Sequence, residues 1–172
     1  MHDDIDPQLA ALQAAALRVE AKDRKWLRWA TDGAAVFSTC AKAQYLAVIV
    51  DARGRVVSTG YNGSPPGFGH CNEGACPRMA EGSASGSSYD NCLAVHAEAN
   101  ALVHGDAARF AGATLYVNGM PCFGCAKMIA GAGIARVVYT DGSVYPGTED
   151  LFAQAGIVLV GLDLEGSTDG TK

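Results

Sequence analysis

The sequence predicts an α/β protein built on one layered sheet. Apolar, partly β-branched stretches at residues 44–50, 136–140 and 157–160 are typical of strands, and stretches with helical periodicity lie between them. Strands that alternate with short helices pack as a sheet covered by helices. The chain has 172 residues, of which 49% are hydrophobic, so it is long enough to bury one substantial core. We therefore expect one main domain.

The N-terminal segment is predicted to be helical. Asp6 and Pro7 make a favourable helix start, with Asp as the N-cap and Pro in the first position. Apolar residues then recur at three- and four-residue spacing, as on one face of a helix. A second helix is expected from about Arg24 to Phe37, with Asp23 as its cap.

The middle and the C-terminal part of the chain supply the strands. Residues 44–50 and 55–61 are predicted to form a hairpin around a turn at 51–54. Further strands are expected at 114–118, 136–140 and 157–160, with helices near 96–103, 122–132 and 148–155. The acidic, glycine-containing end after Gly161 is predicted to be disordered.

The stretch from Asn62 to Asn91 shows almost no apolar periodicity. Unstructured loops longer than roughly 15 residues are uncommon in a compact domain unless they are functional or tied down. This one contains His70, Cys71 and Cys76 and ends at Cys92. A bound metal would supply the core that the loop lacks.

Charge and hydropathy exclude several classes of protein. Thirteen Lys and Arg residues stand against eighteen Asp and Glu residues, a net charge of -5, which disfavours a protein that binds duplex nucleic acid. No apolar run approaches the roughly 20 residues that cross a bilayer, and the first residues are acidic, unlike a signal peptide. We expect a cytoplasmic protein without membrane contact.

Six cysteines in a reducing compartment favour metal ligation or catalysis over disulfides. Cys122 and Cys125 are three residues apart at a predicted helix start, and so share one helical face. With His96 at another helix start they provide one nitrogen and two thiolate ligands, which leaves the fourth tetrahedral position of a zinc ion for water.

Glu98 lies two residues after His96, and residues two apart on a regular helix point about 200° away from each other. Both side chains therefore reach one site only if His96 sits at the helix start with cap-like geometry, and we predict that it does. Glu98 would then be free to carry a proton from the zinc-bound water to the substrate.

Each of these motifs has another interpretation when taken alone. A Cys-x-x-Cys pair also suits a structural zinc ribbon or a redox pair, although a redox role leaves His96 and Glu98 without a function. The combination of His-x-Glu with a later Pro-Cys-x-x-Cys is the signature of zinc deaminases, and its specificity is high.

Four segments carry a wider resemblance: residues 60–76 (GYNGSPPGFGHCNEGAC), 92–102 (CLAVHAEANAL), 114–139 (TLYVNGMPCFGCAKMIAGAGIARVVY) and 151–157 (LFAQAGI). Together they resemble the deoxycytidylate deaminases of the cytidine deaminase superfamily over most of residues 24–160. The resemblance implies a three-layer α/β/α cytidine deaminase-like fold with a mixed sheet of about five strands. It implies a deaminase domain at 23–161, between an N-terminal helical extension (1–22) and a disordered tail (162–172).

The same resemblance implies the chemistry. His96, Cys122 and Cys125 would be the catalytic zinc ligands and Glu98 the proton shuttle, with hydroxide attacking C4 of cytosine so that dCMP becomes dUMP and ammonia leaves. The product would supply the dTMP precursor. Three alternatives stay open: a deaminase of a nucleoside or modified cytosine nucleotide, a deaminase of adenosine in tRNA, and a non-catalytic zinc module used for interaction.

Substrate contacts are less clearly marked. In the resembling family the Tyr-Asn-Gly segment lines the nucleotide site, so Asn62 would bind the sugar, although Asn62-Gly63 also suits a simple turn. Ala97 and Tyr145 would contact the base and phosphate. The expected basic residue for the phosphate is not evident. Arg109 is the nearest candidate, and Arg78 and Lys127 are the others.

Relatives in one branch of the family carry a second, structural zinc. Cys40, Cys71, Cys76 and Cys92 match its positions, with His70 as an alternate ligand, and four thiolates would close a tetrahedral site. The alternative is a set of buried free cysteines. The polar, glycine-rich setting of three of the four favours zinc.

The resemblance also implies a homo-oligomer regulated by nucleotides. dCTP would activate and dTTP would inhibit through residues 60–69, with Gly60, Tyr61 and Gly63 as effector contacts and magnesium bound with the nucleotide.

Overall fold

The structure is a computed structural model that describes residues 6–84, 91–140 and 145–164. Its centre is a five-stranded sheet of order β2-β1-β3-β4-β5. The strands are β1 (Leu46–Val50), β2 (Val56–Tyr61), β3 (Thr114–Val117), β4 (Arg136–Tyr139) and β5 (Val158–Gly161). β1 is antiparallel to both β2 and β3, whereas β3, β4 and β5 run parallel. The predicted mixed sheet of about five strands is confirmed.

Helices cover both faces of the sheet. They are α1 (Pro7–Phe37), α2 (Pro77–Ala80), α3 (Ala97–Val103), α4 (Phe123–Gly131) and α5 (Thr148–Gln154). The central strand β1 is buried along its whole length, and its side chains alternate between two clusters. Val48 packs with Leu27 of α1 on one face, and Ile49 packs with Ala101 of α3 and Ile129 of α4 on the other. The three-layer arrangement is therefore confirmed.

The largest departure from the sequence prediction is in α1. The chain forms one continuous helix from Pro7 to Phe37 instead of two, and Asp23 is a buried residue within it, not a cap. Its carboxylate accepts two hydrogen bonds from Arg136 of β4 (2.9 and 2.6 Å) and one from the Tyr116 hydroxyl of β3 (2.8 Å). A charged residue at this position is explained by these partners, which tie the helix to two strands.

The N-terminal part of α1 extends past the sheet. Leu9 is 49% and Leu12 is 68% exposed, whereas Leu27 is fully buried. The division of the chain into an extension (1–22), a domain (23–161) and a tail (162–172) stays a prediction. No helix in the described ranges is both long enough and apolar enough to cross a membrane.

Parts of the predicted loop and the first residues of the predicted tail are ordered within the fold. A 3₁₀ turn at Cys71–Glu73 and the short α2 are the helical pieces described between residues 62 and 84. Leu162 and Leu164, which the sequence assigned to the tail, pack against the α1 cluster. Residues 85–90 of the loop and 165–172 of the tail are outside the described residues.

We expect Asp23→Ala to lower the free energy of unfolding by about 3–5 kcal/mol, because it leaves the Arg136 guanidinium without its buried counter-charge. The matched control is Glu20→Ala on the same helix, which removes an exposed ion pair with Arg24 and should cost no more than about 1 kcal/mol. Denaturant unfolding of both variants measures the difference. Equal losses would contradict the anchoring role of Asp23.

Candidate metal centre and active site

The candidate site lies at one edge of the sheet, where the start of β1 meets the end of β3. Because these strands are antiparallel, Ala47 pairs with Val117, and the segment before β1 lies beside the segment after β3. The loop after β2 reaches the same edge, since the Asn62 backbone N–H donates to the Tyr45 carbonyl (3.0 Å). Three chain segments therefore converge there.

His96 is placed by the segment that leads into α3. The residue before it, Val95, exchanges two backbone hydrogen bonds with Gly63 (3.2 and 2.9 Å). His96 itself is the N-cap residue of α3, with φ -67° and ψ 152°. Since this extended conformation frees it from the 100° step of the helix, its ring and the Glu98 carboxylate reach the same cavity. The predicted cap-like geometry is confirmed.

Helix α4 begins in the same way. Cys122 is its N-cap residue, with φ -68° and ψ 164°, and Cys125 is buried in its first turn. The His96 Nδ1 atom lies 3.6 Å from the Cys122 sulfur and 3.4 Å from the Cys125 sulfur. A tetrahedral zinc ion separates its nitrogen and sulfur ligands by about 3.6 Å. The donor set and its spacing therefore fit zinc.

These three residues form the only group of three or more such donors within 4.8 Å of one another in the described part of the chain. Their titration reflects the crowding. The neighbouring Cys125 and His96 lower the pKa of Cys122 to about 3, whereas Cys122 and burial raise the pKa of Cys125. Contact with Cys122 raises the pKa of His96. A divalent cation binds the deprotonated form of each thiol, so zinc binding here would release protons.

Glu98 lies beside this group but is not part of it. Its side chain is buried in the first turn of α3, and burial raises the pKa of the carboxyl group. A carboxyl that is not a ligand and holds a proton more readily than usual is suited to proton transfer at neutral pH. The arrangement can therefore support general acid/base chemistry next to a metal.

Contacts from β2 hold α3 in this position. The Ser58 hydroxyl donates to the Ala101 carbonyl (2.7 Å), and the Asn100 side chain donates to the Tyr61 carbonyl (2.7 Å). A Cβ atom on Gly60 would lie 2.2 Å from the Ala101 nitrogen and 2.4 Å from the Ala97 carbonyl oxygen. Only glycine fits at this crossing.

Gly63 has a similar packing role, because a Cβ atom there would lie 2.4 Å from the Thr39 hydroxyl. Tyr61 is 42% exposed and stacks on Phe37. Sequence reasoning attributed Gly60, Tyr61 and Gly63 to effector binding. The structure gives both glycines a role in packing, and the effector role stays a prediction.

A cavity of about 220 Å³ opens onto the metal group. Its walls come from the three converging segments, from α2, from the start of α3 and from the segment before α5. They include His96, Glu98 and Cys122. The other lining residues are Cys40, Lys42, Ala43, Tyr45, Asn62, Arg78, Cys92, Ala94, Ala97, Gly119, Met120 and Tyr145.

Asn62 lines this cavity and is 6% exposed. Its side-chain oxygen accepts from the Ser38 hydroxyl (2.5 Å) and the Tyr45 N–H (2.8 Å), and its amide donates to the Ala43 carbonyl (2.8 Å). An amide carries two N–H donors, and within the described residues only this one hydrogen bond uses them. Asn62 therefore joins the loops before β1 and after β2 and keeps a donor for a ligand.

The predicted substrate residues divide into two groups. Ala97 and Tyr145 line the cavity together with Asn62. Arg109 does not: its guanidinium forms an ion pair with Asp51 (2.6 Å) directly after β1, at the opposite edge of the sheet. The ion pair with Asp51 accounts for a basic side chain at position 109, and the prediction that Arg109 contacts the phosphate is wrong for this cavity. Sequence reasoning missed three residues of the cavity wall, Lys42, Tyr45 and Met120.

The other four cysteines do not form a comparable group among the described residues. Cys71 is buried, which raises the pKa of its thiol, and Cys76 and Cys40 act on it in the same direction. Cys40 and Cys92 line the cavity instead. His70 also lies outside any such donor group.

Comparison with known proteins identifies the family. Residues 20–141, most of the chain, match the cytidine and deoxycytidylate deaminase zinc-binding region. The chain belongs to this family. As a member it is a zinc-dependent deaminase, with the His96, Cys122 and Cys125 group as its metal-binding candidate.

The share of each relative's length that this chain matches differs between relatives. The deoxycytidylate deaminase of Mycobacterium phage D29 is 48% identical over 111 residues, which are 62% of this chain and 84% of the phage protein. That of Schizosaccharomyces pombe is 41% identical over 128 residues, 73% of this chain. This chain spans about two fifths (39%) of that relative's length.

A solved structure supports the fold. The dCMP deaminase of cyanophage S-TIM5, in complex with dCMP and dUMP, aligns with a TM-score of 0.63 and 24% identity, covering 92% of this chain and 99% of that one. The cytidine deaminase-like fold that the sequence predicted is confirmed.

We expect Glu98→Gln to retain zinc and to lower the deamination rate by about 10²–10⁴-fold, because the amide keeps the volume of the side chain but cannot carry the proton. Cys125→Ser is the comparison, and it should lose both zinc and activity. Zinc analysis and an ammonia assay on the same samples separate the two effects. Full activity in Glu98→Gln would refute the proton-transfer role.

Proposed function

We propose that this protein deaminates dCMP to dUMP with release of ammonia, and so supplies the precursor of dTMP. The observation that carries the proposal is a buried carboxyl, Glu98, beside a three-donor metal group at the wall of a small cavity. The phage and yeast relatives are deoxycytidylate deaminases, and the cyanophage enzyme was solved with dCMP and dUMP.

In this proposal His96, Cys122 and Cys125 hold the zinc. Bound zinc lowers the pKa of water to near 7 and so supplies a hydroxide nucleophile. The water oxygen would bond to C4 of the cytosine ring, and Glu98 would take the two protons of that water, passing one to N3 and the other to the departing amino group. One water is consumed, the C4–N bond breaks, and dUMP and ammonia result. Asn62, Ala97 and Tyr145 orient the nucleotide.

A non-catalytic zinc module does not account for Glu98, because a structural site has no use for a buried acid outside its ligand set. The net charge of -5 disfavours tRNA, whose backbone attracts basic surfaces. The free nucleoside and a 5-substituted cytosine nucleotide are the competing substrates.

The remaining parts of the proposal rest on the resemblance. They are a structural zinc held by Cys40, Cys71, Cys76 and Cys92 with His70 as alternate, effector binding of dCTP and dTTP with magnesium, a homo-oligomer and a cytoplasmic location. For the structural zinc there is one physical support, since Cys76 and Cys40 both lie close enough to Cys71 to raise the pKa of its thiol.

An ultraviolet assay with dCMP, CMP, deoxycytidine and 5-substituted dCMP, run side by side on the zinc-loaded protein, tests the substrate. We expect the highest kcat/KM for dCMP. A clear preference for deoxycytidine or for the 5-substituted nucleotide would replace this substrate, and no turnover of any compound would overturn the function.

Zinc content tests the second metal. We expect about two zinc ions per chain, and about one in a Cys71→Ser variant that still deaminates its substrate. The reason is that a closed four-thiolate site supports the loop and not the reaction. A wild-type count of one would remove the structural zinc from the proposal.

A further inference from the structure

The wall of the cavity carries both an acid and cations. Its lining includes the acid Glu98 and the metal donors His96 and Cys122. It also includes two cationic side chains, Lys42 and Arg78. Glu98 is the only carboxylate among its described lining residues. The cavity therefore combines reactive groups with two cations.

Arg78 is held in place deep in the protein. It belongs to α2 and is 5% exposed. Its guanidinium nitrogens lie 3.9 Å from the Cys92 sulfur and 3.4 Å from the Ala84 carbonyl. These two contacts are among those that the guanidinium makes. They orient a planar group with five donors at the cavity wall, and its burial strengthens any attraction to an anion.

Lys42 comes from a different segment, the loop between α1 and β1. Its ammonium donates to the Ser83 carbonyl, which connects this loop to the segment that follows α2. An ammonium has three donors. The two cations thus reach one cavity from two parts of the chain that are linked to each other.

We propose that Lys42 and Arg78 form the phosphate-binding part of this cavity and make the enzyme selective for a nucleoside monophosphate over the free nucleoside. The inference rests on the proposed function and names the residues that set its substrate class. A phosphate monoester near pH 7 carries close to two negative charges. One guanidinium and one ammonium balance that charge, and the fork of the guanidinium fits two phosphate oxygens.

The other basic candidates do not reach this cavity. Arg109 is paired with Asp51 at the opposite edge of the sheet. Lys127 lines a second, more open groove that also borders His96 and Cys122, and its ammonium lies 5.5 Å from the centre of the Phe123 ring. Among the described residues, Lys42 and Arg78 are the cations that line the substrate cavity.

The test compares dCMP with deoxycytidine in the zinc-loaded wild type and in Arg78→Gln, Lys42→Met and Arg55→Gln. Arg55→Gln is the matched control, because it removes the same charge from an exposed residue on the hairpin, 59% exposed at its side chain. Inorganic phosphate is added as a competitor of dCMP. Zinc content is measured for every sample.

We expect Arg78→Gln and Lys42→Met each to lower the ratio of kcat/KM for dCMP to that for deoxycytidine by about 10- to 100-fold, as for the loss of hydrogen bonds to a charged group. Most of the change should appear in KM. Inhibition by phosphate should weaken in both variants, and Arg55→Gln should match the wild type. Should Arg78→Gln fail to fold or to hold zinc, Lys42→Met carries the comparison.

The outcomes that overturn this inference differ from those that overturn the function. If the wild type deaminates neither compound, the proposed function fails. If the wild type prefers dCMP and the folded, zinc-loaded variants keep that preference or lose activity on both compounds equally, only the phosphate assignment fails. A wild type that prefers deoxycytidine likewise overturns the phosphate assignment while leaving deamination in place.

Discussion

The meeting of one imidazole with two sulfurs is the constraint on which the rest of this structure depends. Atoms 3.4–3.6 Å apart have to be delivered by two helices that are separated by a strand in the sequence. A shift of α3 along its axis by one residue, about 1.5 Å, would remove the fit to zinc. The contacts that fix the start of each helix are therefore as important to the site as the ligands.

Those contacts explain a motif that looks like a ligand-binding loop. The segment Gly60–Gly63 fixes α3 through a backbone crossing at Gly60, a bridge from Gly63 to Val95, and hydrogen bonds from Asn62 to the loop before β1. The contacts of Gly60 and Gly63 position His96 and Glu98, and those of Asn62 position the loop before β1 in the cavity wall. A requirement for glycine in this segment follows from packing alone, and a ligand contact at Asn62 adds to it.

The sequence was sufficient for the features that depend on local pattern. The strands, the hairpin and helices α3 to α5 follow from short-range periodicity, and the predicted ranges lie close to the observed ones. The ligand group follows from residue types whose chemistry is specific. The predictions for Arg109 and Asp23 were wrong because each forms an ion pair with a residue far away in the sequence. Arg109 pairs with Asp51, 58 residues away, and Asp23 pairs with Arg136, 113 residues away. Long-range ion pairs leave no local signal.

Charge shows why the position of a residue within the fold is more informative than composition. The chain has a net charge of -5, so a nucleotide phosphate approaches a protein of like charge. A net negative charge repels a nucleotide phosphate unless cations near the binding site offset it. Nearby charges matter most, because charges separated by more than about 8–10 Å are largely screened at physiological salt. Two cations in the cavity wall act over a shorter range than that. An acidic protein can therefore bind an acidic substrate when a few charges lie at the site, and composition alone excludes only ligands that need a broad basic surface.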